Sequence, residues 1–238
     1  MIKKILSTLL VSSAFLVFAA TSSIADRPTF AIGYTAAYGG YEASGQENEG
    51  ASSPQEITKA NEAGEIGYSS LFMEVSFKDR VTIGASWMAD AIQSEVTSRT
   101  DSLCQQTTKL PIAGCSNKGD EGTSSISARF SNLVTGYVEV NIWNGLYAKY
   151  GIMEMDVETK ESLHTDSSYP NATMDGTTYG LGWKGSFDNG VFIKTETMMQ
   201  EWSDLHIEAS GMTTTDNNTS VDASLSGAVA TVSIGKAF

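Results

Sequence analysis

The final stretch LSGAVATVSIGKAF, Leu225 to Phe238, puts Ala228, Ala230, Val232, Ile234 and Phe238 on one side of an extended chain, with Val229, Thr231, Ser233, Gly235 and Ala237 on the other. Such a period of two marks a strand with two unlike faces, here one apolar and one of mostly small residues. A strand that carries an aromatic at its last position leaves a row of unpaired backbone groups, and the economical cover is the first strand of the same chain. Closing the sheet on itself removes both edges, which predicts a barrel. Lys236 interrupts the apolar row. It is expected at headgroup level, where a long side chain can carry its charge into water.

Working back along the chain, the same alternation recurs about eight times. Phe30, Ile32, Tyr34, Ala36 and Tyr38 oppose Ala31, Gly33, Thr35, Ala37 and Gly39. Leu71, Met73, Val75 and Phe77 oppose Ser70, Phe72, Glu74 and Ser76, while Ile66 and Tyr68 have the other parity and predict a bulge near Ser69. Val81, Ile83, Ala85, Trp87 and Ala89 make a third run. The fourth keeps Ile126, Ala128, Phe130, Val134, Val138, Val140 and Ile142 on one parity over seventeen positions, against Arg129, Ser131, Thr135, Tyr137, Glu139 and Asn141. The fifth sets Leu146, Ala148, Tyr150 and Ile152 against Tyr147, Lys149 and Gly151, then changes apolar parity at Met153, Met155 and Val157, where a bulge or an exit from the membrane is expected. Runs at Thr177–Trp183 and Val191–Met199 precede the closing strand. Lys78-Asp79-Arg80, Trp143-Asn144-Gly145 and Asp188-Asn189-Gly190 read as short turns. They alternate with long connections at 43–63, 92–122, 158–174 and 201–221. The expected fold is all-β: a closed antiparallel up-and-down transmembrane β-barrel of eight strands.

Lys3 and Lys4, the apolar run from Ile5 to Ala20 and Ser23-Ile24-Ala25 read as a secretory signal peptide over 1–25, which leaves 26–238 as one barrel domain. No later segment is apolar for the roughly 18 residues a spanning helix needs, so a membrane can be crossed only with strands. Setting aside the two signal lysines, 13 bases face 28 acids, a balance that excludes nucleic acid as a partner. The four long connections carry a net charge of −10 and are expected on one side of the membrane. Cys104 and Cys115 share one of them with no His nearby, so a disulfide is expected rather than a metal site. In the loop-entropy account it is worth about 2–3 kcal/mol.

Alternation alone does not say which face is inside. The face opposite the apolar one is mostly Gly, Ala, Ser and Thr, too poor in charge for the outside of a soluble barrel and small enough for a narrow interior. Aromatics gather near the run ends, with Tyr38, Tyr41, Trp87 and Trp202 at one level and Phe30, Phe77, Trp143, Tyr147, Phe187 and Phe238 at the other, as interfacial girdles require. The inward set then includes Glu74, Asp90, Arg129, Glu139, Lys149, Lys184, Lys194 and Glu196. In a low-dielectric lumen these are expected to pair as a polar network that plugs the barrel; a narrow ion path is the alternative. Gly180-Leu181-Gly182-Trp183-Lys184-Gly185 has dinucleotide-loop spacing, but it falls on a strand, where that chemistry fails. His164 with Asp166 and Ser167, or His206 with Asp204 and Ser203, could supply a hydrolytic site; the plainer reading is two solvated loop histidines.

Ser23-Ile24-Ala25, the Gly145-Leu146-Tyr147-Ala148-Lys149-Tyr150-Gly151 strand and the closing Ser233-Ile234-Gly235-Lys236-Ala237-Phe238 together resemble the small outer-membrane β-barrel proteins of Gram-negative bacteria, porin-like or opacity-type. The resemblance implies a cell-outer-membrane location, with periplasmic termini, extracellular long loops, and lipid and lipopolysaccharide around the wall. It implies that the barrel-assembly machinery reads the last strand through Phe238, Ile234, Val232 and Ala230. It implies no catalytic residues, no cofactor and no metal. The expected role is structural and surface-exposed, in membrane integrity and adhesion, for a monomer. A narrow channel for ions or small solutes and a lipid-A-modifying enzyme are the alternatives. A soluble peptidoglycan-binding domain is not expected, and neither is a wall-tethering role.

Overall fold

The computed structural model describes residues 28–49, 56–78, 80–88, 90–104, 118–162, 168–209 and 220–238. They form β1 (Thr29–Glu49), β2 (Glu56–Phe77), β3 (Val81–Trp87), β4 (Ile92–Gln93), β5 (Thr97–Cys104), β6 (Lys118–Trp143), β7 (Leu146–Ser162), β8 (Ala172–Ser186), β9 (Val191–Trp202), β10 (Leu205–Glu208) and β11 (Ser220–Ala237). Eight of these close an antiparallel ring in the order β1-β2-β3-β6-β7-β8-β9-β11, and β11 returns to β1. The closing seam runs from Ala31 opposite Ala237 to Asn48 opposite Ser220. The Phe238 amide donates to the Phe30 carbonyl at 2.8 Å, so the last residue completes the ladder.

Short turns occupy one end. Asn144 (φ 45°) and Gly145 (φ 84°) form a two-residue link between β6 and β7, and two successive positive φ values are what a tight hairpin with right-handed strand twist needs. Between β8 and β9 the Gly190 amide donates to the Phe187 carbonyl at 2.9 Å, and the Asn189 side chain accepts from the Val191 amide at 3.0 Å. Lys236 lies opposite Val191 on the outer face, and its Nζ donates to the Asn189 carbonyl of this turn. The charge that broke the apolar row therefore ends at the short-turn rim.

The alternation becomes an inside and an outside. β9 is the clearest case, each second residue from Phe192 to Trp202 being buried. Outward side chains form an apolar band that includes Ile32, Leu71, Ile83, Val138, Ile152, Leu181, Ile193 and Val232. Each such side chain gains about 1.5–3 kcal/mol on leaving water, so the band is a surface made for hydrocarbon. Tyr38, Trp87, Phe30, Trp143, Phe187 and Phe238 lie exposed at its margins. Tyr41, Tyr147 and Trp202 do not join them: all three point inward, with Tyr147 and Trp202 buried.

Three expectations about parity need correction. β2 pairs with β1 without interruption from Thr29–Ser76 to Glu49–Glu56, so no bulge lies near Ser69 and Tyr68 is simply another inward residue. β7 pairs with β8 without a break from Leu146–Trp183 to Val157–Ala172, so Met153, Met155 and Val157 continue the inward row of Tyr147, Lys149 and Gly151. The interior becomes apolar there while the strand stays in register. A bulge within the long wall lies instead on β6, where the register against β7 shifts between Ser131 and Val134 and Asn132 takes φ 55°. One extra residue exchanges the faces. Phe130 and Ala128 therefore pack inward, while Val134, Val138, Val140 and Ile142 face out.

All four stretches expected as connections hold strand: β1 and β2 stay paired through 43–49 and 56–63, β7 and β8 reach Ser162 and begin at Ala172, and the other two stretches hold separate short strands. β4 and β5 follow β3 end to end along β6, and β10 follows β9 along β11. The wall thus rises well beyond the apolar band.

Candidate functional site

The lumen is crossed by a layer of six paired charges. Lys194, on β9, places Nζ against Glu74 Oε1 of β2 and Glu139 Oε1 of β6, with Glu196 Oε1 at 3.6 Å. Lys149, on β7, reaches both oxygens of Glu196 at 3.0 Å and Glu139 at 3.7 Å. Lys184, on β8, stands 3.8 Å from Glu74 Oε2. Lys184 and Lys194 are direct cross-strand partners, a repulsive placement that Glu74 between them offsets. Three ammonium groups and three carboxylates leave the layer neutral.

Aromatic side chains complete it. Tyr137 OH donates to Glu74 at 2.9 Å and Tyr147 OH to Glu196 at 2.6 Å, while Thr231 Oγ1 donates to the other Glu196 oxygen at 3.1 Å. Lys149 Nζ lies 3.9 Å from the Tyr137 ring centroid and Lys184 Nζ 4.1 Å from that of Phe192. The rings fit because glycines stand opposite them: Gly84 faces Tyr137, Gly182 faces Tyr147, and Gly235 faces Phe192. On the short-turn side Ala31, Phe72, Phe192 and Ala237 pack into an apolar floor.

Towards the long-loop end, Met88, Leu133, Met153, Met155, Val157, Met174 and Trp202 form a second, apolar layer, backed by Tyr68, Ile92, Phe130, Leu205 and Leu225. Flexible thioethers adapt to the irregular space between the facing strands. Polar and apolar closures are therefore stacked in one lumen.

Comparison with solved structures matches this architecture across nearly the whole chain. The outer membrane protein OprG of Pseudomonas aeruginosa aligns with a TM-score of 0.52 and 9% identity, over 90% of this chain and 97% of that one. The fold is that of an outer-membrane β-barrel. The outer membrane protease OmpT of Escherichia coli aligns at TM-score 0.46 and 10% identity, over 92% of this chain and 99% of that one. AlkL, solved in lipid bilayers, gives 0.44 and 8%, over 93% and 95%. No protein-family model matches the sequence, and no curated protein does.

Within this outer-membrane barrel fold, Glu74, Glu139, Lys149, Lys184, Lys194 and Glu196 meet in the charge layer, whereas Asp90 and Arg129 do not. Arg129 sits past the β6 bulge, so it turns outward and pairs with its cross-strand partner Glu158 at 3.5 Å. Asp90 follows the end of β3, where Met88 takes the inward place; it is exposed and accepts from Ser69 Oγ at 3.3 Å. Tyr137 and Tyr147, absent from the expected network, supply two further hydrogen bonds to it. The signal for them was the regular occurrence of glycine on one strand and an inward aromatic on the next.

His206 lies on β10, above the band, with Nδ1 2.5 Å from Asp222 Oδ1 and Nε2 3.8 Å from Glu208 Oε1. The Asp222 hydrogen bond and charge raise the imidazole above its ordinary value. Ser203, expected beside it, instead donates its hydroxyl to the Asp175 carbonyl at 2.9 Å, so the grouping of His206 with Ser203 and Asp204 does not form. His164, Asp166 and Ser167 lie outside the described residues, as do Cys115 and the signal segment 1–25. Cys104 ends β5.

Proposed function

We propose that the protein is an integral barrel of the cell outer membrane with a structural and surface role in membrane integrity and adhesion, and that its lumen does not conduct. The observation that carries this reading is the double closure: the salt-bridged layer of Lys149, Lys184, Lys194, Glu74, Glu139 and Glu196, and the methionine-rich layer of Met88, Met153, Met155, Met174 and Trp202 beyond it. An eight-stranded interior is narrow enough for side chains to close it, and these two layers do so. The alternative, a narrow path for ions or small solutes, draws on the same charges. It requires both layers to part. Recordings of the purified protein in planar bilayers separate the two: silence is expected, and reproducible unitary conductance overturns the closed reading.

The same reading covers the ends of the chain. Residues 1–25 direct export and are removed; the outward row Ala230, Val232, Ile234 and Phe238 on β11 is what the assembly machinery engages; Cys104 and Cys115 form a disulfide that tethers the β5–β6 loop; lipopolysaccharide surrounds a monomeric wall. Support comes from the closing ladder, whose outward face carries these four residues. No catalytic role is assigned to His206, because both its ring nitrogens face carboxylates.

A further inference from the structure

Between the charge layer and the methionine layer lies a cavity of about 60 Å³. Its wall is hydroxyl-rich, with Ser70, Thr135 and Thr178 alongside Gln200 and the Lys149–Glu196 pair. Thr178 is 4% exposed, lines this space, and its buried Oγ1 has no hydrogen-bond partner among the described residues. A buried hydroxyl left unpaired is costly, and such groups in native proteins are ordinarily satisfied by protein or by water. Lys149, Lys194 and Glu196 line it, and each is already ion-paired within the charge layer, so the wall presents no unpaired charge to hold an ion. Its polarity tells equally against an apolar occupant, since dry cavities are lined by apolar side chains.

We propose that this cavity is a binding site for internal water, with room for about two to four molecules, one of them held by Thr178 Oγ1. The barrel is then wet at its centre and closed at both ends. The proposal rests on the closed-lumen reading in one respect: the two layers keep these waters from exchanging quickly with bulk.

The test uses the barrel in lipid nanodiscs and water-to-amide cross-relaxation by NMR. Cross-peaks from long-lived water are expected at residue 178 and its cavity neighbours. Thr178→Val matches the shape but lacks the oxygen, and is expected to lose the contact at 178 without raising the urea midpoint; Thr178→Ser is expected to keep it. A dry cavity gives the reverse, with no water cross-peaks and a higher midpoint for Thr178→Val, and either result overturns the site. Should Thr178→Val fail to fold, the spectra of the unmodified protein and of Thr178→Ser decide. Fast-exchanging water together with bilayer current overturns the closed lumen itself, whereas absent water with a silent bilayer overturns this inference alone.

Discussion

Gly84 and Tyr137 stand directly opposite each other on β3 and β6, so close that a Cβ at Gly84 would lie 2.4 Å from the tyrosine Cζ. The missing side chain lets the ring lie against the wall, and the ring in turn carries its hydroxyl to Glu74. The same relation joins Gly182 to Tyr147, Gly33 to Phe72, Gly235 to Phe192, Gly176 to Trp202 and Gly227 to Tyr41, each pair being cross-strand partners. Small inward residues are therefore seats for large ones, and the lumen is filled by pairs.

Gly84→Ala is expected to destabilise the barrel by about 1–3 kcal/mol, the usual cost of overpacking. The methyl group displaces the Tyr137 ring and with it the Glu74 hydrogen bond. Urea unfolding followed by heat-modifiable migration on a detergent gel reads the loss. Tyr137→Leu in the same chain should recover part of it; no recovery would show that the clash is not with the ring.

Lys194→Met removes the cation shared by three buried carboxylates. Truncating one partner of a buried ion cluster costs about 3–5 kcal/mol, because the remaining charges stay desolvated. Adding Glu74→Gln and Glu139→Gln is expected to restore much of the stability, measured by the same unfolding curves. A Lys194→Met barrel as stable as the original would mean that Lys194 does not hold these carboxylates together.

The β6 bulge predicts a pattern of chemical access. In separate chains whose native cysteines are replaced by serine, Arg129→Cys should react readily with a membrane-impermeant maleimide in intact cells, and Phe130→Cys should be protected. A straight strand gives the opposite order. Deleting Asn132 removes the extra residue, and the labelling of the two positions should exchange if the protein still folds.

The His206–Asp222 contact pins β10 to β11 in a pH-dependent way. The imidazole is raised in the folded chain, so its contribution is fully present below about pH 6.5, the ordinary histidine value, and fades as pH rises through the raised one. Glu158 has the opposite sign. Its hydrogen bond from Lys160 at 2.5 Å is the main cause holding it below the usual carboxylate range, so its contribution is lost only as pH falls through that lowered value. Hydrogen exchange of the β10–β11 amides, corrected for intrinsic rates, should accelerate from pH 5.5 towards pH 8 by this contribution. His206→Gln should abolish the dependence.

The sequence by itself determined the class of fold and the sidedness of the wall. A period of two with one greasy and one sparse face is a local property, carried by each run from Phe30 to Phe238, and burial acts on it residue by residue. The short turns at Asn144-Gly145 and Asp188-Asn189-Gly190 were legible for the same reason, since their positive φ demands particular residues on the spot. Six of the eight expected lumen charges could be placed because parity holds along an unbroken strand. Asp90 and Arg129 could not, because a single inserted residue at Asn132, or a strand that ends at Trp87, resets the parity beyond it, and neither event leaves a hydrophobicity signal. Only the tertiary structure decided which inward groups meet. Lys194 touches Glu74 across 120 residues of chain because the ring brings β2, β6 and β9 to one level. The same closure turned Met153 and Met155 from an apparent change of face into the apolar seal of the lumen, since whether an apolar residue faces lipid or interior depends on the register of its neighbours.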